Sequence, residues 1–243
     1  MSLFTPVPTA ELFRDDADLA ECEAVVTAMD GGAVQLDRTV FYPQGGGQAG
    51  DAGVLQLADG RSLAVADTRK GAEPGQILHL LADPADAAAV AVGATVTARI
   101  DTARREAHRR FHTGTHLLCA LVPHPVDGCS ITAQYARLDF HMSEPLDKEA
   151  LTQGLAKLIA AATPVTTRWI TDAELDANPQ LVRSMSVQPP RGSGRVRLVE
   201  INGVDLQPCG GTHVNNTADI GTLIVTKIEK KSAMTRRVVL GFA

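Results

Sequence analysis

The sequence predicts an α+β protein, with a small β-barrel-like domain at its N-terminal end and an α+β domain after it. Three observations predict this. Over residues 21–100, short apolar runs alternate with turn signals. At Asp101 the character changes to helical segments that open on capping residues and stop at prolines. Beyond residue 195 the strand pattern returns around an Asn-Gly turn. Many short strands at such spacing suggest a barrel or a sandwich, and helices mixed with strands after them suggest α+β.

The elements follow in order. Ala24-Val25-Val26 leads to Asp30-Gly31-Gly32 and then to Ala33-Val34-Gln35-Leu36. Val54-Leu55-Gln56-Leu57 runs into Asp59-Gly60, and Leu63-Ala64-Val65 follows. Ile77-Leu78-His79-Leu80 and the run 95–100 complete the set, with 84–91 an Ala-rich helical turn or loop. Asp101 or Thr102 caps a helix to about Val122, where Pro123 stops it. A second helix fits 147–162 and ends before Pro164; a strand fits 165–171, and a short helix broken by Pro179 fits 172–182. Strand 196–201, Asn202-Gly203 and strand 204–206 read as a hairpin, since Asn-Gly readily takes the positive φ angles of a type I′ turn. Two more strands fit 222–229 and 236–240. The domains are expected at 1–100 and 101–243.

Composition narrows the function classes. The 243 residues are 44% hydrophobic and 21% charged, as in an ordinary globular protein. There is no apolar run near the roughly 18 residues a membrane helix needs. The start, MSLFTPVPTAELFRDD, has neither a basic n-region nor an apolar h-region. A cytoplasmic protein is expected, in which the four cysteines stay reduced and serve packing or metal binding. The net charge of −5 argues against broad charge-driven nucleic-acid binding, though not against a local basic patch.

Two short motifs carry the chemistry. Phe111-His112-Thr113-Gly114-Thr115-His116 lies on the first long helix, where residues four apart share a face, so His112 and His116 can grip one ion. Gln207-Pro208-Cys209-Gly210-Gly211-Thr212-His213 puts a thiol and an imidazole on one short flexible turn. Either pair alone is common on a solvated or packed surface. Together they form a donor set of three imidazoles and a thiolate that suits one Zn²⁺. His108, one turn before His112, is expected at the surface among Arg104, Arg105, Arg109 and Arg110.

HTGTHLL followed by a distant CGGTH resembles the editing domain of alanyl-tRNA synthetases, which recurs in related form in threonyl-tRNA synthetases. Ala136-Arg137-Leu138-Asp139-Phe140-His141 resembles the strand after the family's first histidine helix. Arg195 to Val199, Thr217-Ala218-Asp219-Ile220-Gly221 and Arg236-Arg237-Val238 also fall in the expected places. Upstream, the segment from Thr39 to Gly53, with Pro43-Gln44-Gly45-Gly46-Gly47-Gln48, resembles the one that precedes that domain. No room remains for an aminoacylation domain, so the chain is similar to the free-standing alanyl-tRNA editing proteins called AlaX.

The resemblance implies a trans-editing hydrolase that deacylates tRNA(Ala) mischarged with serine or, as a second candidate, glycine. It implies a zinc-containing editing domain with His112, His116, Cys209 and His213 as ligands. Thr115 resembles a small polar residue of the family's pocket, so Thr115 and His116 are the candidate catalytic residues. Thr115 is also the candidate that senses the serine hydroxyl; a bond to its own helix backbone is the alternative. Gln44, Gly45, Gly46, Gly47 and Gln48 are candidate substrate contacts, because adjacent glycines allow close backbone approach; a tight loop between strands is the alternative. Pro125 to Ser130 reads as a shortened loop without the glutamine many synthetase editing domains carry there, and Cys129 as a packed residue.

Three basic groups are candidate phosphate contacts: Arg104, Arg105, Arg109 and Arg110; Arg191, Arg195 and Arg197; and Lys227, Lys230, Lys231, Arg236 and Arg237. One Trp and two Tyr make extensive base stacking unexpected. The expected partner is the acceptor end of tRNA(Ala), with neither DNA nor a membrane. Two other readings stay open: a zinc-dependent hydrolase of small esters or amides, and a non-catalytic tRNA-binding module with structural zinc.

Overall fold

A computed structural model of the protein describes residues 8–182 and 194–243. Contacts divide it into two compact units: the residues up to Gly45 with Ala49–Arg105, and Gly46–Gln48 with Glu106–Ala243.

The first unit is built on eight strands: β1 (Ala10–Glu11), β2 (Glu21–Asp30), β3 (Ala33–Leu36), β4 (Arg38–Thr39), β5 (Gly53–Leu57), β6 (Ser62–Lys70), β7 (Ile77–Leu81) and β8 (Thr95–Ile100). Six of them close into a barrel in the order β2-β3-β7-β6-β5-β8, with β8 pairing back to β2. Closure removes the sheet edges that a small open sheet would expose. The inside is filled by the period-two positions of each strand. Val96, Ala98 and Ile100 on β8, and Leu63 and Val65 on β6, are buried while their neighbours are half-buried or exposed. The Ala-rich stretch forms a short 3₁₀ turn, Pro84–Ala89, capped by the Asp83 side chain.

One buried histidine is part of this core. His79 Nδ1 lies 2.9 Å from the Val34 carbonyl and Nε2 lies 2.8 Å from Thr39 Oγ1. Phe41 meets the ring edge-on at 5.1 Å. With the carbonyl accepting from Nδ1–H and the hydroxyl donating to Nε2, the ring is satisfied in its neutral form.

The second unit contains helix α1 (Thr102–Leu121), which begins in the first unit, and helices α2 (Lys148–Ala160) and α3 (Asp172–Ala177). Asp101 caps α1 by accepting from Arg104 N at 3.0 Å. Asp147 caps α2, and Thr171 with Glu174 forms a capping box on α3. Its strands are β9 (Val126–Ile131), β10 (Ala136–His141), β11 (Val165–Thr171), β12 (Arg195–Ile201), β13 (Asp205–Pro208), β14 (Leu223–Ser232) and β15 (Thr235–Phe242). They form a four-stranded antiparallel sheet, β14-β15-β10-β9, and a three-stranded one, β11-β12-β13. The main core joins Phe111, Leu117 and Leu118 of α1 to Leu138, Phe140, Val199, Ile201, Val238 and Leu240. A small second core lies under α3, with Ile170, Leu175, Val196 and Leu198.

Three expectations are corrected. The segment expected as a shortened loop at 125–130 is mostly strand β9, paired with β10 from Ile131↔Ala136 to Val126↔Phe140. The hairpin turn after β12 is not type I′. Ile201 pairs with Asp205, Val204 N donates to Ile201 O, and of the two central residues only Gly203 takes a positive φ, at 70°. The extra loop residue leaves one left-handed position where type I′ needs two. His108 is fully buried, at 0% exposure, because its stripe of α1 turns inward.

No helix among the described residues is long and apolar enough to cross a membrane, and no disulfide joins the cysteines.

The core histidine makes a pH prediction. Burial, the largest influence, pushes His79 down to about 4 from 6.5, against the bond to Val34. An unfolded chain takes up this proton below pH 6.5 and the folded chain does not. Stability is therefore full above about pH 6.5 and falls toward pH 4, by up to roughly 3 kcal/mol. Urea unfolding at pH 7 and pH 4.5 measures this, and His79→Gln should remove much of the difference.

Candidate metal centre

His112 and His116 stand one turn apart on α1, and Cys209 and His213 follow β13 directly. The structure brings the four together: their ligand atoms all lie within 4.8 Å of one another. Cys209 Sγ is 3.4 Å from His112 Nε2 and 3.2 Å from His213 Nε2. The three histidines are almost fully buried.

Each imidazole is oriented from behind. His112 Nδ1 lies 2.8 Å from Gln48 Oε1. His116 Nδ1 lies 2.8 Å from Asp205 Oδ2, which also accepts from Gln207 Nε2 at 2.8 Å. His213 Nδ1 lies 3.1 Å from Thr113 Oγ1. The Thr113 hydroxyl donates to the Arg109 carbonyl at 2.9 Å, so its oxygen is left to accept. All three outer partners are acceptors, and each places the ring proton on Nδ1. In the neutral form each Nε2 is then left as a lone pair, the form a metal ion binds, and at His116 the ion would displace the second proton.

The CGGTH turn is held just as closely. Arg197 donates to the carbonyls of Cys209 and Gly211 at 3.1 and 2.9 Å. Arg109 Nε donates to the His213 carbonyl at 2.8 Å. Gln48 accepts from Thr212 N at 3.1 Å and donates to Thr212 Oγ1 at 3.0 Å. The double glycine has a steric reason at its second member. A Cβ on Gly211 would lie 2.1 Å from His112 Cε1 and 2.9 Å from Gln48 Oε1. At Gly47 (φ 89°) a Cβ would lie 2.7 Å from Cys129 Sγ.

The electrostatics favour a thiolate. Burial by itself would raise the Cys209 thiol, but the His112 and His213 imidazoles hold it well below the ordinary thiol range. Burial would lower His116, but Asp205 and the Cys209 sulfur raise it to about 9. Burial and the neighbouring His112 push His213 well down. Cys129 goes the other way: burial, then Cys209, pushes it up to about 12. It stays a thiol, packed against the main core.

A fit to a metal can be tested on these distances. Zinc bonds of about 2.0–2.1 Å to nitrogen and about 2.3 Å to sulfur put tetrahedral donors roughly 3.3–3.6 Å apart. The Cys209–His112 and Cys209–His213 separations, 3.4 and 3.2 Å, are close to that. Three imidazoles and one thiolate also match zinc's borderline softness.

The remaining candidates are distributed differently. Thr115 is 3% exposed, and its hydroxyl donates to the His112 carbonyl at 2.7 Å. Gln48 is buried with both ends of its amide engaged, whereas Gln44 is exposed, and its backbone N–H donates to Thr68 O. Gly45 accepts from the Tyr42 hydroxyl, and Gly46 is exposed. Several guanidinium groups of the expected basic rim are engaged by the protein itself. Arg105 pairs with Asp51 inside the first unit, and Arg104 donates to the Gly50 carbonyl. In the second unit Arg110 donates to the Ile220 carbonyl and stacks on Phe242 at 4.0 Å, in addition to Arg109 and Arg197 on the turn. Arg236 is buried, and Arg237 makes a two-pronged pair with Asp139. Lys227, Lys230, Lys231 and Arg195 are exposed, and Arg191 lies outside the described residues. The roles of Thr113, Asp205 and Arg197 carry no signal in the sequence, since their partners are distant along it.

Gly211→Ala should push His112 out of the cluster. The metal-free variant is expected to lose about 1–3 kcal/mol of stability, as overpacking does. Urea unfolding checks this, and an unchanged midpoint would mean that the turn moves aside freely.

Comparison with known proteins gives the family. Residues 196–239 match the model of the threonyl and alanyl tRNA synthetase second additional domain. Residues 9–104 match that of the class II (A) tRNA synthetases. The chain is 31% identical over 234 residues to the alanyl-tRNA editing protein AlaX-M of Saccharolobus solfataricus, covering 95% of this chain and 97% of that one. It is 32% identical over 237 residues to AlaX-M of Methanosarcina barkeri, covering 94% and 97%. The alanine–tRNA ligase of Metallosphaera sedula is 35% identical over 232 residues, 92% of this chain but 25% of the ligase. With such coverage of free-standing relatives, the chain belongs to the family of the AlaX-M alanyl-tRNA editing proteins.

Proposed function

We propose that this protein hydrolyses the aminoacyl ester of mischarged tRNA(Ala), with serine as the principal substrate and glycine as a second. The observation that carries the reading is the buried His112–His116–Cys209–His213 cluster, with every imidazole oriented from behind, in a chain similar end to end to AlaX-M proteins. In this reading residues 1–100 form the N-terminal β domain, from which Gly46–Gln48 of the glycine-rich motif group with the second unit, and residues 101–243 form the zinc-containing editing domain. The protein acts in the cytoplasm on the acceptor end of the tRNA.

His112, His116, Cys209 and His213 would hold one Zn²⁺. Bound there, the ion would polarise a carbonyl or lower the pKa of a water to about 7 only where a position opens beyond its four protein donors. The protein's own part is to keep that site rigid. Gln48, Asp205 and Thr113 hold the ring protons on Nδ1, and Arg197 and Arg109 fix the turn carbonyls. Preorganised polar groups of this kind need no reordering when charge develops on a reacting ester.

Selection of serine needs a group that alanine does not satisfy, because a pocket sized for alanine rejects a small addition poorly. Thr115 is the candidate. Its proton is used on the His112 carbonyl, so its oxygen is available to accept from a serine hydroxyl.

The metal assignment predicts one zinc per chain in protein purified without added metal, measured by elemental analysis. Cys209→Ala should lose both the zinc and Ser-tRNA(Ala) deacylation. Gln48→Leu should keep the four ligands but weaken zinc retention about 10- to 100-fold in competition with a chromogenic chelator. A metal-free wild-type protein with full deacylase activity would overturn the assignment. Zinc and tRNA binding without deacylation would instead favour a structural ion.

Thr115→Val keeps the shape of the side chain and deletes the acceptor. Losing such a bond is worth roughly 0.5–1.5 kcal/mol. Ser-tRNA(Ala) deacylation should fall about three- to tenfold while Ala-tRNA(Ala) hydrolysis does not, so selectivity narrows. Unchanged zinc content together with an unchanged serine-to-alanine ratio would leave Thr115 as a helix residue only.

A further inference from the structure

The three-stranded sheet has two different faces. On one, Ile170, Val196 and Leu198 pack under α3. The other carries Asp205 and Gln207 of β13, which pair with Ile201 and Val199 of β12; these pair with Val165 and Thr167 of β11. Asp205 and Gln207 reach the His116 ring, so this second face looks toward the metal cluster.

Trp169 extends the same face at the outer strand. It pairs in register with Arg197, whose guanidinium holds the Cys209 and Gly211 carbonyls. One row therefore runs from Trp169 through Arg197 to the cysteine turn. It crosses two strand spacings, about 10 Å. Trp169 is the one tryptophan of the chain and is 41% exposed, although a large aromatic ring gains most by burial. The Arg195 guanidinium lies over the ring, 4.4 Å from its centroid. Arg195 is itself exposed, so the ring and the guanidinium over it lie at the surface together.

We propose that Trp169 is a stacking platform for one nucleobase near the 3′ end of a bound RNA, with Arg195 fixing the ring and meeting the adjacent phosphate. An indole face stacks on any base, and a neighbouring guanidinium complements the phosphate charge. The placement suits a 3′-terminal ester: the ribose carrying the ester faces the cluster, and a base of the same single-stranded end reaches outward along the row. A single platform also fits a chain with few aromatic residues. The proposal rests on the reading of an RNA 3′ end as substrate.

Because no other tryptophan contributes, its emission reports this contact directly. The probe is an uncharged acceptor-stem minihelix of tRNA(Ala) ending in CCA, titrated into the zinc-loaded full chain. Trp169 emission is expected to be quenched on binding, and removing the three unpaired 3′ nucleotides is expected to abolish the quenching. Trp169→Ala should weaken minihelix binding, followed by fluorescence anisotropy, about 5- to 150-fold. Trp169→Phe should recover part of it, which a mere loss of fold would not allow. Deacylation of Ser-tRNA(Ala) is measured in parallel. If the wild type binds and deacylates with unchanged emission, or if quenching survives removal of the 3′ nucleotides, this proposal fails and the editing reading stands. If the minihelix does not bind and charged tRNA is not hydrolysed, both fail.

Discussion

The second unit depends on a set of hydrogen bonds that begin behind the histidines and end at one sulfur. Buried polar atoms are costly unless paired, and here four polar side chains, three of them buried, share a space of a few ångströms. Three acceptors of different chemistry solve the problem. An amide oxygen takes the His112 proton, a carboxylate takes that of His116, and a hydroxyl takes that of His213. In its neutral form each ring is satisfied on one side and presents a lone pair on the other. Because Gln48 Oε1 also accepts from Thr212 N, the same bonds that aim the rings hold the turn carrying Cys209 and His213.

That constraint explains where the arginines are used. The CGGTH turn has little regular backbone pairing, so its carbonyls need donors from elsewhere. Arg197 supplies two bonds and Arg109 one, from a strand and a helix that are themselves well packed. A guanidinium suits this work because it offers several donors in a fixed plane. The consequence for recognition is that much of the positive charge that looks like an RNA-binding rim is internal. The exposed cations of these groups are Lys227, Lys230, Lys231 and Arg195, with Lys227 paired to Glu229 at 2.8 Å.

The barrel of the first unit meets its polar obligations in the same way with fewer groups. His79 is neutral between a carbonyl and a hydroxyl. Asp51 is buried against Arg105 and also accepts from Tyr42 N at 2.7 Å.

The sequence by itself determined the local elements and the two pairs of the His/Cys cluster. Short apolar runs between turn signals marked the six strands that close the barrel, because run length and turn residues are local properties of the chain. Asp101 and Asp147 marked their helices, because a cap acts within one turn. His112 with His116, and Cys209 with His213, were legible because each pair is separated by four residues. The tertiary structure alone decided what surrounds them. Gln48 meets His112 across 64 residues, Asp205 meets His116 across 89, and Thr113 meets His213 across 100. No periodicity connects such positions, so nothing in the chain distinguished Asp205 from any other hairpin aspartate. The same holds for charge: an arginine reads as surface until its partner is known, and the carbonyls that claim Arg109 and Arg197 are anonymous in a sequence. His108 was misjudged for the related reason that hydrophilic neighbours describe a helix's average, whereas burial depends on which stripe faces the core.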